Sequence, residues 1–427
     1  MNKTKNDLAW EKLFDKYNIM HEIENKGFFQ IESKDINEFR EARLATKFDH
    51  KSNLPKLFKD NNLSILPITR GSYIISSFEA YKEFSELNTE IIRISFPYYI
   101  ESIDYENITS ESIAINCAFI SGILSDFIQD DKLLPTVSGR MSSNEFSFYI
   151  NSTNINRDVM VTVSNSQIEI DGGYEGIDSL ALIEAKNSIS KDFLIRQLYY
   201  PFRLWNDKIV KRVIPIFMVY SNGVFTLYEY VFEDPQNYNS LVLVKQKNYT
   251  LIQDDINLND IKDILYNINI VEEPKIPFPQ ADNMKRIINL CELLYNKEMT
   301  RDEIATTYDF DSRQTNYYAD AGRYLGIIDK KKEDGDIVYF LTNEGKELFK
   351  VNLKKRQLKF VELILRHNVF NKALKEYFRL GQIPSKDSIV EIMKESDLYR
   401  VSSNSTFYRR AQTIKSWINW ILELIIK

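Results

Sequence analysis

The sequence predicts an α/β domain with a mixed sheet over residues 1–272, followed by mostly α-helical elements. Three observations carry this. Strand-like runs (LSILPITRGSYIISSF, EIIRISF, VMVTVSNSQIEID, LALIEAK, VIPIFMVYSNGVFTLYEYVF) alternate with helical ones (NDLAWEKLFDKYNI, SKDFLIRQLYYPFRLW) across the first part. The segment EEPKIPFPQ carries three prolines within residues 274–279, which sustain neither a helix nor a central strand, so residues 273–280 read as a linker. Beyond it the apolar period becomes helical, and the chain divides into blocks at 281–350 and 351–427.

The chain has 427 residues, too many for one ordinary core. Apolar residues make up 44% and charged residues 27%, with 13 Gly and 11 Pro, which is the composition of a folded globular protein. Cys117 and Cys291 form no CxxC and no disulfide framework, and with His21, His50 and His367 scattered they build no zinc site. The N-terminal MNKTKNDLAWEKLF lacks an apolar signal core, and no run of about 18 apolar residues occurs. A soluble, cytoplasmic protein without a membrane partner is the expectation. The net charge of −6 hides an asymmetry: residues 281–427 hold 26 Lys+Arg against 21 Asp+Glu, leaving 29 against 40 before them. Residues 351–427 are the most basic, with 15 against 7. Such a division fits acidic chemistry kept apart from a surface that holds a polyanion, and equally fits ordinary charge scatter.

After the linker, Ile287, Leu290, Leu293 and Leu294 have the spacing of an amphipathic helix in DNMKRIINLCELLYN. Thr300 and Glu303 form a capping box opening the short helix TRDEIATTY. Ser312 then caps a longer helix, SRQTNYYADAGRYLGII, and KKKEDGD forms the tip between two strand-like pieces ending in YFLT. This is the element order of a winged helix-turn-helix, whose second helix reads the major groove. Arg313, Gln314, Asn316 and Tyr317 fall in its opening turns, whereas Tyr324 and Leu325 read as core. Near the C-terminus SSNSTFYRRAQTIKSWINWILELI repeats the logic, with serine caps at residues 402–405 and Arg409, Arg410 and Lys415 along the helix. Both blocks are candidates for DNA contact, or for dimerisation.

The chemistry-bearing stretch is IEIDGGYEGIDSLALIEAKN, residues 168–187. Residues 159–171 alternate apolar and polar positions before Gly-Gly, and residues 180–183 form a short apolar run, which together read as a hairpin. It brings Asp171 near Glu184 and Lys186, which share one face while Ala185 takes the other. Two carboxylates and a lysine at one point suit phosphodiester hydrolysis assisted by Mg²⁺: the oxygens bind the cation, and the ammonium orients water and neutralises charge. Glu169 shares the face of Asp171. Glu175 and Asp178 lie in the connecting turn, where Asp178 reads as a solvated acid and Glu175 as either that or a further metal ligand.

The spacing of Asp171 to Glu184-Ala185-Lys186 resembles the PD-(D/E)xK nuclease motif, with Ile170 in place of the loosely kept proline. The segments REARLATKFDH, LPITRGSYII, SGRMSSNEFSF and EAKN…RQLYYPFR are, in that order, similar to a family of bacterial type II restriction endonucleases, and this layout covers most of the chain. The resemblance implies a PD-(D/E)xK core followed by winged-helix segments, Mg²⁺ as cofactor, duplex DNA as substrate, a cognate DNA methyltransferase, and a polar helper at Gln197. Double-strand cutting would need a homodimer or sequential nicking.

Arg40, Arg43 and Lys47 have the spacing of one helix face, either phosphate-binding or solvated. Arg70 and Arg140 follow turn-like stretches and are candidates to reach a base edge or a phosphate. Two other functions stay open: a non-catalytic winged-helix DNA-binding regulator, and a modification-dependent endonuclease.

Overall fold

In the computed structural model, residues 3–85, 90–153, 158–251, 254–308, 312–396 and 398–425 are described, with backbone alone at 312 and 313. The chain begins with a small unit that has its own core. Thr4 and Asp7 form a capping box on helix α1 (Lys5–Tyr17), whose Trp10 indole N–H donates to the Ala45 carbonyl at 2.8 Å. Trp10, Leu13, Phe58, Leu63 and Ile75 pack together with a three-stranded sheet, β1 (Phe29–Glu32), β2 (Ser64–Pro67) and β3 (Ser72–Ser76), in the order β1-β3-β2. Residues 40–47 do not form the single helix the basic spacing suggested. Only Ala42–Ala45 is helical, so Arg40, Arg43 and Lys47 share no continuous helix face.

The next unit holds the predicted mixed sheet. Its strands are β5 (Ile91–Arg93), β6 (Leu134–Ser142), β9 (Gln167–Glu175), β10 (Ser179–Lys186), β12 (Arg212–Ser221), β13 (Val224–Phe232) and β14 (Leu241–Thr250), in the order β5-β14-β13-β12-β10-β9-β6. The β10–β12 and β14–β5 pairs are parallel and the others antiparallel. Two short ladders lie outside the sheet: β4 (Tyr81–Glu83) with β11 (Asp192–Leu194), and β7 (Phe146–Ile150) with β8 (Val159–Val163).

Strand β10 is buried on both faces, which explains why LALIEAK lacks an apolar-polar alternation. Leu180 and Leu182 join the core of helix α4 (Arg196–Asn206), with Leu198 and Phe202. Ala181, Ile183 and Ala185 join the opposite core, under helices α2 (Glu111–Ile120) and α3 (Ile123–Ile128). The run at 159–171 is two strands rather than one, broken where Asn165 takes a φ of 53°. Gly172 and Gly173 are not the hairpin turn but lie inside β9, and the turn falls at residues 176–178. Close approach demands the second glycine: a Cβ on Gly173 would lie 2.6 Å from Cβ of Val137, on a strand kinked by bulges on either side of that residue.

The C-terminal part contains the predicted elements in the predicted order. Helix α5 (Leu258–Asn267) is followed by α6 (Met284–Asn296), β15 (Met299–Thr300), α7 (Arg301–Thr307) and α8 (Ser312–Tyr324). The hairpin of β16 (Ile328–Glu333) and β17 (Asp336–Leu341) follows, turning at Asp334 and Gly335, both with positive φ. Thr300 and Glu303 form the capping box, and Ile287, Leu290 and Leu294 are buried. Helices α9 (Leu353–Leu365), α10 (Asn368–Leu380), α11 (Lys386–Lys394) and α12 (Asn404–Glu423, capped by Ser403) complete the chain.

Two boundaries differ from the sequence reading. The blocks 281–350 and 351–427 share one core, which also takes in Ile256, Ile261 and Leu265 from before the proline-rich segment. That segment forms no helix or strand, yet it is threaded through the core: Phe278 is buried and stacks on Phe370 at 5.8 Å, and the Trp417 indole donates to the Ala281 carbonyl at 2.9 Å. Among the described residues no helix is long and apolar enough to cross a membrane.

Candidate active site

The β9–β10 ladder ends at Gly172–Ile183, and beyond it the Asp171 carboxylate takes over, with Oδ2 accepting the Ala185 N–H at 2.9 Å. A side chain thus replaces the backbone partner at the point where the strands part. Glu184 and Lys186 flank Ala185, so three of the predicted residues meet there. The Lys186 ammonium donates to Glu184 Oε1 at 2.5 Å, and Gln197, in the first turn of α4, donates from Nε2 to the same oxygen at 2.6 Å.

Burial dominates the electrostatics. Glu184 is 8% exposed, and loss of hydration pushes its carboxyl up to about 7, against the attraction of Lys186 and with the repulsion of Asp171. For Lys186 burial works downward, but Glu184, Glu111, Asp49 and Asp171 together outweigh it and hold the ammonium above its ordinary range. Four acids, Glu184, Glu111, Asp49 and Asp171, therefore lie within electrostatic reach of Lys186.

Two of those acids were not expected from the sequence. Glu111 opens α2 behind the N-cap Ser110; burial raises its carboxyl, Lys186 and Lys47 oppose that, and Asp171 adds to it. The Asn187 N–H also bonds to Glu111. Asp49 arrives from the N-terminal unit on a segment pinned to β11. The His50 ring Nδ1 donates to the Asp192 carbonyl at 2.8 Å, Lys51 N–H to Asp192 Oδ2 at 3.3 Å, and Leu194 N–H to the Asp49 carbonyl at 3.1 Å. Glu111 lies 60 residues before Asp171, and Asp49 lies further back, so no local spacing could reveal either.

The structure does not bring Glu175 into the cluster. It ends β9 opposite Leu180 and pairs with Lys211 at 2.6 Å, four residues from Asp171 and so about 13 Å along the strand. Asp178 is an exposed turn residue, as expected. Glu169 is exposed and pairs with Arg140 at 3.3 Å, while lining a small cleft with Glu184 and Gln197. Arg70 is exposed in the turn between β2 and β3.

On α8, the Arg313 side chain lies outside the described residues. Gln314 and Tyr317 are half-buried, and Asn316 Oδ1 accepts the Tyr339 hydroxyl of β17 at 3.0 Å. On α12, Arg409 is exposed and Arg410 is buried. Among the described residues no acceptor meets Arg410 Nε or Nη1, and burial, with repulsion from Arg409, pushes its guanidinium down to about 10 although Tyr317 opposes this.

Mg²⁺ binds through one or two carboxylates and keeps waters for the rest of its shell. Asp171 and Glu184 supply such hard oxygen donors, whereas no group of three or more His, Cys, Asp or Glu is poised for a metal among the described residues. The donor set fits a cation shared with substrate rather than one caged by protein.

No curated protein and no solved structure matches the chain. Three family models do, each described as a domain of unknown function: DUF6996 at residues 7–75, DUF6997 at 76–250 and DUF7226 at 286–426. The middle one contains Glu111, Asp171, Glu184, Lys186 and Gln197, and the first ends at Ile75, the last fully buried residue of the N-terminal core.

Proposed function

We propose that the protein is a Mg²⁺-dependent, sequence-specific endonuclease of double-stranded DNA, of the type II restriction kind, with a PD-(D/E)xK core and a C-terminal winged helix-turn-helix. The observation that carries this reading is the meeting of Asp171, Glu184 and Lys186 where the β9–β10 ladder ends. A purely structural hairpin has no need of a buried carboxylate lifted to about 7.

In this reading Asp171 and Glu184 would hold Mg²⁺, which would supply Lewis-acid stabilisation of the charge on the scissile phosphate. Lys186 orients the attacking water and supplies a fixed positive charge. Gln197 holds the Glu184 carboxylate in place, and Glu111 helps keep Lys186 protonated. The reading of DNA is supported by the basic C-terminal part, where the exposed Arg409 of α12 is suited to a backbone phosphate, whereas Arg410 is buried beside it. Arg313, Gln314, Asn316 and Tyr317 are the proposed base readers, with Arg70 and Arg140 as flanking contacts. A homodimer or sequential nicking completes a double-strand cut, and a cognate methyltransferase would protect the host's own sites.

The test is incubation of unmethylated phage DNA with wild-type protein and with Lys186→Ala and Glu111→Gln variants, in Mg²⁺ or EDTA. Discrete Mg²⁺-dependent fragments, reduced roughly a thousandfold in Lys186→Ala and less in Glu111→Gln, are expected. Cutting of methylated DNA alone would make the enzyme modification-dependent. Specific binding without any cutting would replace the proposal with a DNA-binding regulator.

A further inference from the structure

The buried side chain of Asn289, on α6, is 0% exposed and reaches across to the sheet unit. Its Nδ2 donates to the Asn187 carbonyl at 2.7 Å and its Oδ1 accepts the Ile189 N–H at 3.2 Å, so one amide grips the chain on both sides of Ser188 as a neighbouring strand would. Asn187 directly follows Lys186, and its own N–H bonds to Glu111. The backbone of one residue, Asn187, thus joins an acid of the catalytic cluster through its N–H to the C-terminal unit through its carbonyl.

The grip extends to the adjacent strand. Asn289 Nδ2 also donates to Glu292 Oε2 at 3.0 Å, and Glu292 accepts the Ser221 hydroxyl at 3.0 Å and the Asn222 N–H at 3.1 Å. Residues 221–222 form the turn out of β12, the parallel partner of β10, in register Lys186 to Val219. Asn222 returns a bond from Nδ2 to the Lys285 carbonyl at 3.1 Å. Helix α6 therefore holds the ends of both strands behind Lys186, while it packs directly on α8. Hydrophobic contact would suffice to glue two units together. A buried polar clamp on one loop adds direction, because its bonds are satisfied at a single relative placement.

We propose that Asn289 is a positioning residue through which engagement of DNA by the C-terminal helical unit sets the Lys186–Ile189 segment for cleavage. The proposal rests on the endonuclease reading above. Without the clamp the strand exit is free to shift, and a misplacement of the order of an ångström is enough to cost about a hundredfold in rate.

The test compares wild type with Asn289→Ala and with Asn289→Asp, which keeps the acceptor but loses both donated bonds; whichever variant shows a cooperative unfolding transition is carried forward. Three quantities are read: affinity for duplex phage DNA fragments in Ca²⁺, single-turnover cleavage in Mg²⁺, and amide hydrogen exchange of residues 184–192 with and without DNA. The expected result is DNA affinity within about threefold of wild type, cleavage down about a hundredfold, and loss of the DNA-induced change in exchange. Cleavage that falls only in step with affinity, or does not fall, overturns the proposal, as does exchange that responds to DNA equally in variant and wild type. If wild type binds DNA but does not cut, the endonuclease reading fails, and the exchange comparison still decides whether Asn289 transmits binding.

Discussion

Replacing Glu184 by glutamine removes a buried charge and nearly preserves its shape. In the wild type the carboxyl sits at about 7 in the folded chain against an ordinary 4.5. The folded-state value is the higher one, so the contribution to stability is complete below pH ~4.5, declines as pH rises through about 7, and is level above it. The difference corresponds to roughly 3 kcal/mol, at ~1.36 kcal/mol per tenfold change in acidity. That figure already contains the attraction of Lys186, so it fixes the sign: holding Glu184 ionised opposes folding. Glutamine escapes the penalty but fits the Lys186 and Gln197 donors less well, so the expected net gain is about 1–3 kcal/mol above neutral pH and close to nothing near pH 4.5. Thermal unfolding in EDTA across this range reads the effect directly, with the variant several degrees higher at pH 8. Addition of Mg²⁺ is then expected to raise the wild-type midpoint and leave the variant unmoved. A variant less stable than wild type at pH 8 would refute the reasoning, because it would mean that the ion pair with Lys186 outweighs the cost of burial.

Gly173→Ala tests the close approach of β9 to β6. The added Cβ would meet the Val137 Cβ at 2.6 Å and its carbonyl oxygen at 2.9 Å, so urea denaturation should show a loss of about 1–3 kcal/mol, and an unchanged midpoint would remove the steric reason for the glycine. Cys117 and Cys291 are both buried, and burial pushes the Cys117 thiol up to about 12 and that of Cys291 further. An aromatic disulfide reagent should therefore find no reactive thiol in the native chain at pH 8 and two per chain in denaturant, and rapid native labelling would contradict the packing.

What the sequence determined by itself was local. The capping box of Thr300 and Glu303, the apolar stripe of α6, the Asp-Gly turn between β16 and β17 and the short apolar strand of β10 all depend on neighbours within a few residues. The approach of Asp171 to Glu184 and Lys186 was legible for the same reason, because one hairpin holds all three. Tertiary structure decided the rest. The place of Glu175 depended on where β9 ends, which its pairing with β6 and β10 out to residue 175 settles and the local Gly-Gly pattern misstates. Glu111 and Asp49 reach the cluster only because α2 and the segment pinned to β11 converge on the end of the sheet. The proline-rich segment has the composition of a linker, yet the aromatic stack on Phe278 draws it into the C-terminal core. In each case hydrogen bonds and side-chain spacing along a strand or helix can be read from adjacent residues, whereas packing between distant segments obeys shape and burial, which no local pattern encodes.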